Sequence, residues 1–471
     1  MKFIHTADLH LGNKMHDIDR EEEYQSFFAW LRETILAEEA EMVLIAGDVY
    51  DTVNPPIGAR KIFNRFLASL LDTDCRNVVI VGGNHDSGAL LDSNRELMEA
   101  LNIHLIGSIA NRKISELVFP VEDKRGEVVG ICAAVPFVKE SEMRAYCDET
   151  KMDEKNYADK AYSALYRAVL EEAKKVRGDK DIPIVTSGHL YAANLDGRYA
   201  GYETEERMDD GVRMLDVIGN LGSVHVGSFP EEFDYVALGH IHYQTMVAKN
   251  PKIRYSGSPF VMGFDEANIK HGVLAVDCER GKIPVVKPLV APHLFKYRRV
   301  EGSIEKIKKE LKEIIDKYKL AEPDEFDKLF EASEAEAIRG AAETSQAAES
   351  NVAGSKYFLE VRYSYEDSGA VNKLIGELDF PEQVRIVSTK LIRQKNSDMM
   401  TLEKRTMREM QELDPVDVFS SLILSKLPLS FDQDADDEAK EKARKDAVEK
   451  YLPYFMDAFE KVQGGQADED K

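Results

Sequence analysis

Short apolar runs recur through the first half of the chain, and each ends in polar residues of the kinds that bind metal ions. These runs are rich in valine and isoleucine and lack a regular polar alternation, which is typical of strands buried on both faces of a sheet. They lie at 3–7, 42–46, 78–81, 184–187 and 235–238. The polar residues that follow them are Asp8 and His10, Gly47-Asp48, Asn84-His85-Asp86, His189, and His240-Ile241-His242.

Helical patterns lie between several of these runs, around 21–38, 57–71, 90–101 and 156–176. Alternating strands and helices predict an α/β fold. Ligands in such folds bind beyond the carboxyl ends of the strands, and all five polar clusters follow that end. The pattern therefore predicts one domain over 1–290, with a single shared site at the ends of its strands.

The pattern changes after about residue 292. Strand patterns at 295–300, 357–363 and 384–392 alternate with helical patterns that begin after Ser303 and at Val371, which predicts a small βαβαβ domain over 291–400. An Ala/Glu/Ser-rich insert at 331–355 interrupts it and is expected to be a flexible loop. Two C-terminal helices, around 415–426 and 440–460, are predicted within 401–462, before a polar tail at 463–471 that we expect to be disordered.

The net charge of −24 argues against a protein that binds nucleic acid nonspecifically through its whole surface. A nucleic-acid function must therefore depend on a local site or on a partner. No apolar run approaches the ~18 residues that span a bilayer, and the N-terminus lacks the apolar segment of a signal peptide. The four cysteines are scattered, so we expect buried free thiols and a cytoplasmic location, with no membrane contact.

The strand-end clusters contain carboxylates, one amide and several imidazoles. A mixed set of oxygen and nitrogen ligands suits Mn²⁺, Fe²⁺ or Zn²⁺ better than Mg²⁺ or Ca²⁺. The candidates exceed what one ion can bind, so two ions that share one carboxylate are the natural count. Two metals about 3.5–4 Å apart stabilise the attacking and the leaving oxygens of a phosphoryl displacement. The seven candidate ligands are Asp8, His10, Asp48, Asn84, His189, His240 and His242.

Each motif alone also has an ordinary structural explanation. Asp8 could be a turn residue, and Gly47-Asp48 could form a tight turn. The segment Asn84-His85-Asp86 could cap the following helix, and His189 could be a core histidine. By contrast, His240-Ile241-His242 places two imidazoles on the same side of an extended segment, which packing alone explains poorly. Five such clusters at equivalent strand ends favour a metal site.

In this order, the motifs resemble those of the calcineurin-like metallophosphoesterases. The motifs are Asp8-x-His10, Gly47-Asp48-x-x-Asp51, Gly83-Asn84-His85-Asp86, Gly188-His189 and Gly239-His240-x-His242. Wider segments are similar to the SbcD family, the nuclease subunits of bacterial SbcCD complexes, over most of the chain. These segments are 5–12, 47–52 with Pro55-Pro56, 237–242, and Gly257-Ser258-Pro259 with Phe264-Asp265-Glu266. The resemblance implies a metallophosphoesterase β-sandwich flanked by helices, with a capping domain and C-terminal helices.

The resemblance also implies a role for each site residue. Two divalent ions, with manganese favoured, are implied, and Asp48 bridges them. One ion is expected on Asp8, His10, Asp48 and His242, and the other on Asp48, Asn84, His189 and His240. His85 is expected over the scissile phosphate, where it stabilises charge or protonates the leaving oxygen. Asp51 is expected to orient His85, and Asp86 either orients a neighbour or caps a helix.

The function implied by the resemblance is that of a DNA nuclease: an exonuclease on double-stranded ends and an endonuclease on single strands or hairpins. Its partners would be DNA and an SbcC-type ATPase, with a homodimer inside a heterotetramer, acting in DNA repair, replication and recombination. The chain has no phosphate-binding loop of the form GxxxxGK[ST], so ATP must be bound by the partner.

Two alternatives stay open at this point. A dinuclear phosphatase or small-molecule phosphodiesterase would use the same ligands, because both reactions hydrolyse phosphate esters by in-line attack. The additional chain beyond about residue 290 favours the nuclease, since a minimal phosphodiesterase does not need it. A catalytically inactive scaffold is the other alternative, and the complete ligand set with His85 argues against it.

Overall fold

The computed structural model describes residues 1–146, 157–193, 224–320, 356–364, 368–391 and 450–452. The chain divides into two compact units, Met1–Ile392 and Arg393–Lys471. The predicted insert, the polar tail and the predicted C-terminal helices, apart from residues 450–452, lie outside the described residues.

The described strands are β1 (Lys2–Thr6), β2 (Met42–Ala46), β3 (Asn77–Val81), β4 (Ile103–Ile106), β5 (Val118–Glu122), β6 (Val128–Ala133), β7 (Ile184–His189), β8 (Ala192–Ala193), β9 (Val224–His225), β10 (Tyr235–Gly239), β11 (Thr245–Met246), β12 (Ile253–Tyr255), β13 (Gly272–Asp277), β14 (Val285–Val290), β15 (Phe295–Glu301), β16 (Lys356–Tyr363) and β17 (Val384–Leu391). The described helices are α1 (Glu21–Ala37), α2 (Ile57–Leu70), α3 (Gly88–Asp92), α4 (Arg95–Glu99), α5 (Glu140–Met143), α6 (Tyr157–Arg177), α7 (Ile304–Leu320) and α8 (Ser368–Glu377).

Two six-stranded mixed sheets form the sandwich. The first has the order β14-β13-β1-β2-β3-β4, and the second β11-β12-β10-β7-β6-β5. The central neighbours β1, β2, β3 and β4 are parallel, as are β12, β10, β7 and β6. All five predicted apolar runs are strands, three in the first sheet and two in the second, so the predicted α/β sandwich is confirmed.

The central strands are apolar throughout because both of their faces are buried. On β2, Leu44 joins a cluster that includes residues of the second sheet such as Val185. Its neighbours Val43 and Ile45 join a second cluster, which contains Phe27 and other aromatic residues of α1 and α2. Alternate residues of one strand therefore pack against the other sheet and against the helices, as predicted for buried parallel strands.

The helix predicted around 90–101 is instead two short helices, α3 and α4, separated at Ser93 and Asn94. The Ser93 hydroxyl donates to the carbonyl oxygen of Leu90 at 2.7 Å. Such local side-chain bonds compete with helix continuation. The N-cap of α3 is Ser87, whose side chain accepts from the backbone N–H of Leu90, so this helix is capped by none of the three residues Asn84-His85-Asp86.

The last three described strands form a parallel sheet in the order β15-β16-β17, connected through α7 and after β16 through α8. This confirms the predicted βαβαβ order. One face of this capping sheet packs with α7 and α8, for example Val361 against Ile307. The other face contributes Phe295, Tyr297 and Phe358 to a cluster with Met15, Ile18, Val261 and Phe264 of the sandwich. The domain boundary near residue 290 stays a prediction.

In the parts of the chain that the structure describes, no helix has the length and apolar character required to cross a bilayer.

Candidate metal centre

The predicted ligands converge from both sheets. The loops after β1, β2 and β3 contribute Asp8, His10, Asp48 and Asn84, and the ends of β7 and β10 contribute His189, His240 and His242. Their polar atoms contact each other across the two sheets, as in the 3.2 Å contact between His189 Nε2 and Asp48 Oδ2. The structure therefore brings all seven predicted ligands into one cluster.

Asp8, His10 and His242 form one half of this cluster. One ligand atom from each lies within 4.8 Å of the other two. His10 Nε2 is also 3.6 Å from Asp48 Oδ2. These four residues are the set expected for one ion.

The other half is centred on Asn84. Its Oδ1 lies 3.0 Å from His189 Nε2 and 3.1 Å from His240 Nδ1. Asp48 contacts both halves, since its Oδ2 approaches His10 and His189. This is the position that a bridging carboxylate requires.

The backbone at the site is strained. Asp8, His10, Asp48 and His240 have positive φ angles of 54°, 43°, 50° and 101°. Few non-glycine residues adopt this region, which costs roughly 1–3 kcal/mol per residue. Four of the seven candidate ligands carry this strain, which favours a functional constraint on these loops over ordinary turns.

Two glycines are required by close approach. A Cβ at Gly83 would lie 2.1 Å from Asp48 Oδ1, and a Cβ at Gly47 would lie 2.1 Å from His189 Nδ1. Neither position has room for a side chain. Gly83 thus allows the loop after β3 to approach Asp48, and Gly47 allows His189 at the end of β7 to approach the loop after β2.

The electrostatics of the cluster are those of closely spaced buried groups. Burial opposes ionisation of Asp48, but the neighbouring His189, by charge and hydrogen bond, holds its pKa well below the ordinary value. Burial lowers the pKa of His189, yet the carboxylates of Asp48 and Asp8 raise it to about 9. Burial raises the pKa of Asp8 despite its imidazole neighbours. Burial and the positive charge of His189 lower the pKa of His240 to about 3.

The residues present fit divalent cations. His10 Nε2 is buried and makes no hydrogen bond among the described residues, whereas Nδ1 faces the Asp51 carboxylate at 3.3 Å. Buried polar atoms nearly always have a partner, so an unpaired imidazole nitrogen beside the carboxylates of Asp8 and Asp48 fits a divalent cation. The mixed oxygen and nitrogen donors match transition-metal preferences.

His85 lies beside the cluster, partly exposed. Its backbone N–H donates to Asp48 Oδ1 at 2.9 Å, and its ring Nδ1 is 2.8 Å from the backbone oxygen of Asp51. A proton on Nδ1 donated to this carbonyl leaves Nε2 available for chemistry. Asp51 therefore contacts His85 through its backbone, and its carboxylate instead lies 3.3 Å from His10 Nδ1.

Asp86 does not cap the helix that follows it, because the N-cap is Ser87. Its carboxylate accepts backbone N–H bonds from Val49, Tyr50 and Gly83 at 2.9–3.0 Å. It thereby joins the loop after β2 to the loop after β3. Burial and the nearby Asp48 charge raise its pKa to about 6, although the three donors favour the charged form.

Glu266 is a site residue whose role the sequence did not reveal. Its Oε1 is 2.9 Å from His242 Nδ1. Burial opposes the charged form of His242, but Glu266 raises the pKa of this imidazole to about 9. A carboxylate behind an imidazole fixes the orientation of the ring and increases its strength as a ligand. In the sequence Glu266 stands out only as part of the segment Phe264-Asp265-Glu266, which has no spacing that identifies such a contact.

A family model described as calcineurin-like phosphoesterase matches residues 1–244. The chain belongs to the calcineurin-like phosphoesterase family. It is therefore a hydrolase that acts on phosphoric ester bonds, and members of this family use divalent metal ions. The resemblance stated from the strand-end motifs is confirmed.

Several curated members of the family are similar to this phosphoesterase over about two thirds of its length. A protein of Escherichia coli (strain K12) that is named as the SbcD component of the SbcCD nuclease is 31% identical over 66% of this chain and 74% of its own. Proteins of the same name from Rhodobacter capsulatus and Bacillus subtilis are 28% and 31% identical, over 62% and 60% of this chain and 70% and 67% of their own. The closer resemblance to the SbcD family is confirmed as well.

Proposed function

We propose that this phosphoesterase is the DNA nuclease subunit of an SbcCD-type complex. The observation that carries the proposal is the convergence of seven candidate ligands from two sheets, with His85 beside them, in a chain similar to proteins named as SbcD components of SbcCD nucleases. The expected activities are exonuclease action on double-stranded ends and endonuclease action on single strands or hairpins, in DNA repair, replication and recombination.

Two divalent ions are proposed, and the mixed donors favour Mn²⁺. One would bind Asp8, His10, Asp48 and His242, and the other Asp48, Asn84, His189 and His240, so that Asp48 bridges them. Such ions supply Lewis acidity, which offsets phosphate charge and lowers the pKa of water. The chain itself supplies a buried, strained and prearranged donor set, so little reorganisation is needed at the moment of reaction.

His85 is proposed as the residue that acts on the scissile phosphate. The Nδ1 contact with the Asp51 carbonyl orients the ring, and the backbone N–H bond to Asp48 fixes the main chain that carries it. In its protonated form the ring carries a second proton on Nε2, which can pass to the leaving oxygen, to leave the neutral ring, or stabilise the negative charge of the transition state. Asp51 contributes through its backbone oxygen.

The proposed partners are DNA and an SbcC-type ATPase, with a homodimer of this chain inside a heterotetramer. The net charge of −24 gives the chain little attraction of its own for DNA, so the partner would supply much of the affinity. A cytoplasmic location is proposed because the described cysteines, Cys75, Cys132 and Cys278, are free and buried.

The test compares substrates. The purified full chain is incubated with Mn²⁺ and linear duplex DNA, a DNA hairpin or a small chromogenic phosphodiester, with and without an SbcC-type ATPase. The proposal expects Mn²⁺-dependent DNA cleavage that increases with the ATPase and ATP. Hydrolysis of the small phosphodiester with no cleavage of DNA under any condition would instead establish a small-molecule phosphodiesterase.

A further inference from the structure

We propose that Arg20 is a positioning residue that holds two imidazoles at one metal position, His10 and His242, through two separate chains of contacts. The inference rests on the proposed metal assignment, and it adds a residue outside the ligand set. Arg20 lies in none of the motifs that the sequence reveals.

Arg20 precedes the first residue of α1 and is buried, with 2% of its surface exposed. Its Nε is 2.6 Å from Glu23 Oε2. The guanidinium carbon lies 5.6 Å from the ring centroids of Tyr24 and Phe260 and 6.0 Å from that of Tyr297 in the capping sheet. A buried ion pair adds little net stability compared with well-packed apolar residues. Packing alone therefore gives a poor account of an arginine here.

The first chain of contacts leads to His10. Arg20 Nη1 donates to Asn13 Oδ1 at 3.3 Å. The Asn13 amide then donates from Nδ2 to Asp51 Oδ1 at 3.0 Å. That same carboxylate oxygen is 3.3 Å from His10 Nδ1. The guanidinium thus fixes the amide orientation of Asn13, which in turn holds the carboxylate against His10.

The second chain leads to His242. Arg20 Nη1 lies 3.8 Å from Met262 Sδ. The backbone N–H of Met262 donates to Glu266 Oε2 at 2.9 Å, and the other oxygen of Glu266 is 2.9 Å from His242 Nδ1. The guanidinium therefore supports the segment whose backbone orients the carboxylate behind His242.

Both chains reach the Nδ1 atom of an imidazole, which leaves Nε2 of each ring for the cation. His10 and His242 belong with Asp8 to one group of candidate ligands. In the other half of the site, His189 Nδ1 is instead 2.9 Å from the backbone oxygen of Ala46. Replacement of Arg20 should consequently weaken the binding of one of the two ions and leave the binding of the other unchanged.

The experiment measures Mn²⁺ binding to the full-length protein, by isothermal titration and by electron paramagnetic resonance. Arg20→Met removes the charge and keeps most of the side-chain length. Loss of a residue that contacts a metal ligand directly weakens metal binding by about 10–100-fold, which is the upper limit for Arg20 because it acts through Asp51 and Glu266. We expect a decrease of up to that size at one of the two Mn²⁺ positions, with the other dissociation constant unchanged. Arg95→Met is the matched control, because Arg95 is likewise an arginine paired with carboxylate side chains, here Glu99 and Glu116, and neither Mn²⁺ constant should change.

Asn13→Ala tests the same proposal if the Arg20→Met protein does not fold. It breaks the first chain and leaves the Arg20 pair with Glu23 in place. We expect the same single Mn²⁺ position to weaken by a smaller factor, with an unchanged melting temperature. Asn13→Ala that binds both ions like the wild type, or Arg20→Met that weakens both ions equally, would overturn the proposal.

The readout also separates this inference from the proposed function. Wild-type protein that binds two Mn²⁺ ions and cuts no DNA would refute the nuclease proposal and leave the role of Arg20 standing. Wild-type protein that binds a single ion would overturn the two-ion assignment, and the role of Arg20 with it.

Discussion

His85 and Asn84 are adjacent in the chain, yet their side chains make different contacts, which predict different roles. Asn84 Oδ1 contacts two imidazoles of the cluster, whereas His85 Nδ1 contacts the backbone oxygen of Asp51 and the His85 ring lies edge-on to His10, with 4.8 Å between the ring centroids. We predict that His85→Ala keeps both metal ions and lowers the cleavage rate by about 10²–10⁴-fold, the usual contribution of a proton-transferring group. Elemental analysis and a phosphodiester cleavage assay measure the two properties.

His225→Ala is a suitable control, because this exposed histidine lies outside the cluster and its replacement should change neither property. Loss of metal from His85→Ala would make His85 a ligand. Cleavage at the wild-type rate would show that His85 takes no part in the reaction.

A second residue-scale prediction concerns His5, which is buried in β1 with Nδ1 3.0 Å from the Tyr235 hydroxyl. Burial lowers the pKa of His5 to about 3, so the folded state favours the neutral ring. Its contribution to stability is present above the unfolded value near 6.5 and is lost as the pH falls towards 3. At pH 5 the loss is about 2 kcal/mol.

Urea unfolding of the metal-free protein at pH 7.5 and pH 5 tests this prediction. His5→Gln should reduce the difference in unfolding free energy between the two pH values by about that amount, 2 kcal/mol. An unchanged difference would show that other groups set the pH dependence.

The candidate ligands themselves could be predicted from the sequence, because Asp8, Asp48 and His189 each lie within two residues of the end of an apolar run. The residues behind them could not. Glu266 reaches His242 from a loop 24 residues away, and Asp86 acts on backbone groups of the loop after β2. Such contacts depend on how loops fold onto each other, which neither periodicity nor spacing encodes.

At the scale of elements, the turn after β3 is set by the lack of a side chain at Gly83. An added Cβ would lie 2.1 Å from Asp48 Oδ1 and 2.3 Å from its backbone nitrogen. We predict that Gly83→Ala displaces the bridging carboxylate, weakens Mn²⁺ binding and destabilises the fold by about 1–3 kcal/mol. Calorimetric titration and thermal unfolding measure both effects.

Gly376→Ala in α8 is the matched control for an added methyl group. Nothing lies within 4 Å of the Cβ position there, so the helix should gain up to about 1 kcal/mol. Normal Mn²⁺ binding by Gly83→Ala would show that the loop can move without cost to the site.

The strands of the sandwich could be predicted because two buried faces produce continuous apolar runs. The second face of the capping sheet could not. Phe295, Tyr297 and Phe358 lie on strands whose alternation predicts only that one face is covered by helices, and their contact with Met15 and Phe264 depends on the assembled fold. The break at Ser93 and Asn94 was also missed, because a hydrophobic period continues across it.

For the whole molecule, the candidate ligands join two sheets that otherwise meet through apolar packing. Cations bound there should stabilise the folded state by about 2.7 kcal/mol at a free concentration 100 times the dissociation constant. We predict that a chelator lowers the melting temperature and that Mn²⁺ restores it. Asp48→Asn, which weakens the carboxylate shared by both halves, should show a much smaller response. A melting temperature that changes with neither the chelator nor Mn²⁺ would contradict the presence of a metal site.

The last prediction concerns the partner. The compact unit ends at Ile392, so a chain stopped there should retain Mn²⁺-dependent hydrolysis of a small phosphodiester. It should lose the complex with an SbcC-type ATPase, because the apolar stripes predicted for the C-terminal helices suit a helix-in-groove contact. A pull-down beside the hydrolysis assay is the measurement. If the shortened chain binds the ATPase with full affinity, the docking site lies within Met1–Ile392.

The order of the ligands along the chain has a consequence for synthesis. Asp8, His10, Asp48, Asn84 and His189 leave the ribosome first, and His240 and His242 follow much later, at the end of β10. A nascent chain interrupted before residue 240 lacks the imidazoles of His240 and His242. Its second sheet also lacks β10, the strand that ends just before them. With the proposed ligand set, the chain therefore has no complete metal site until translation has passed residue 242.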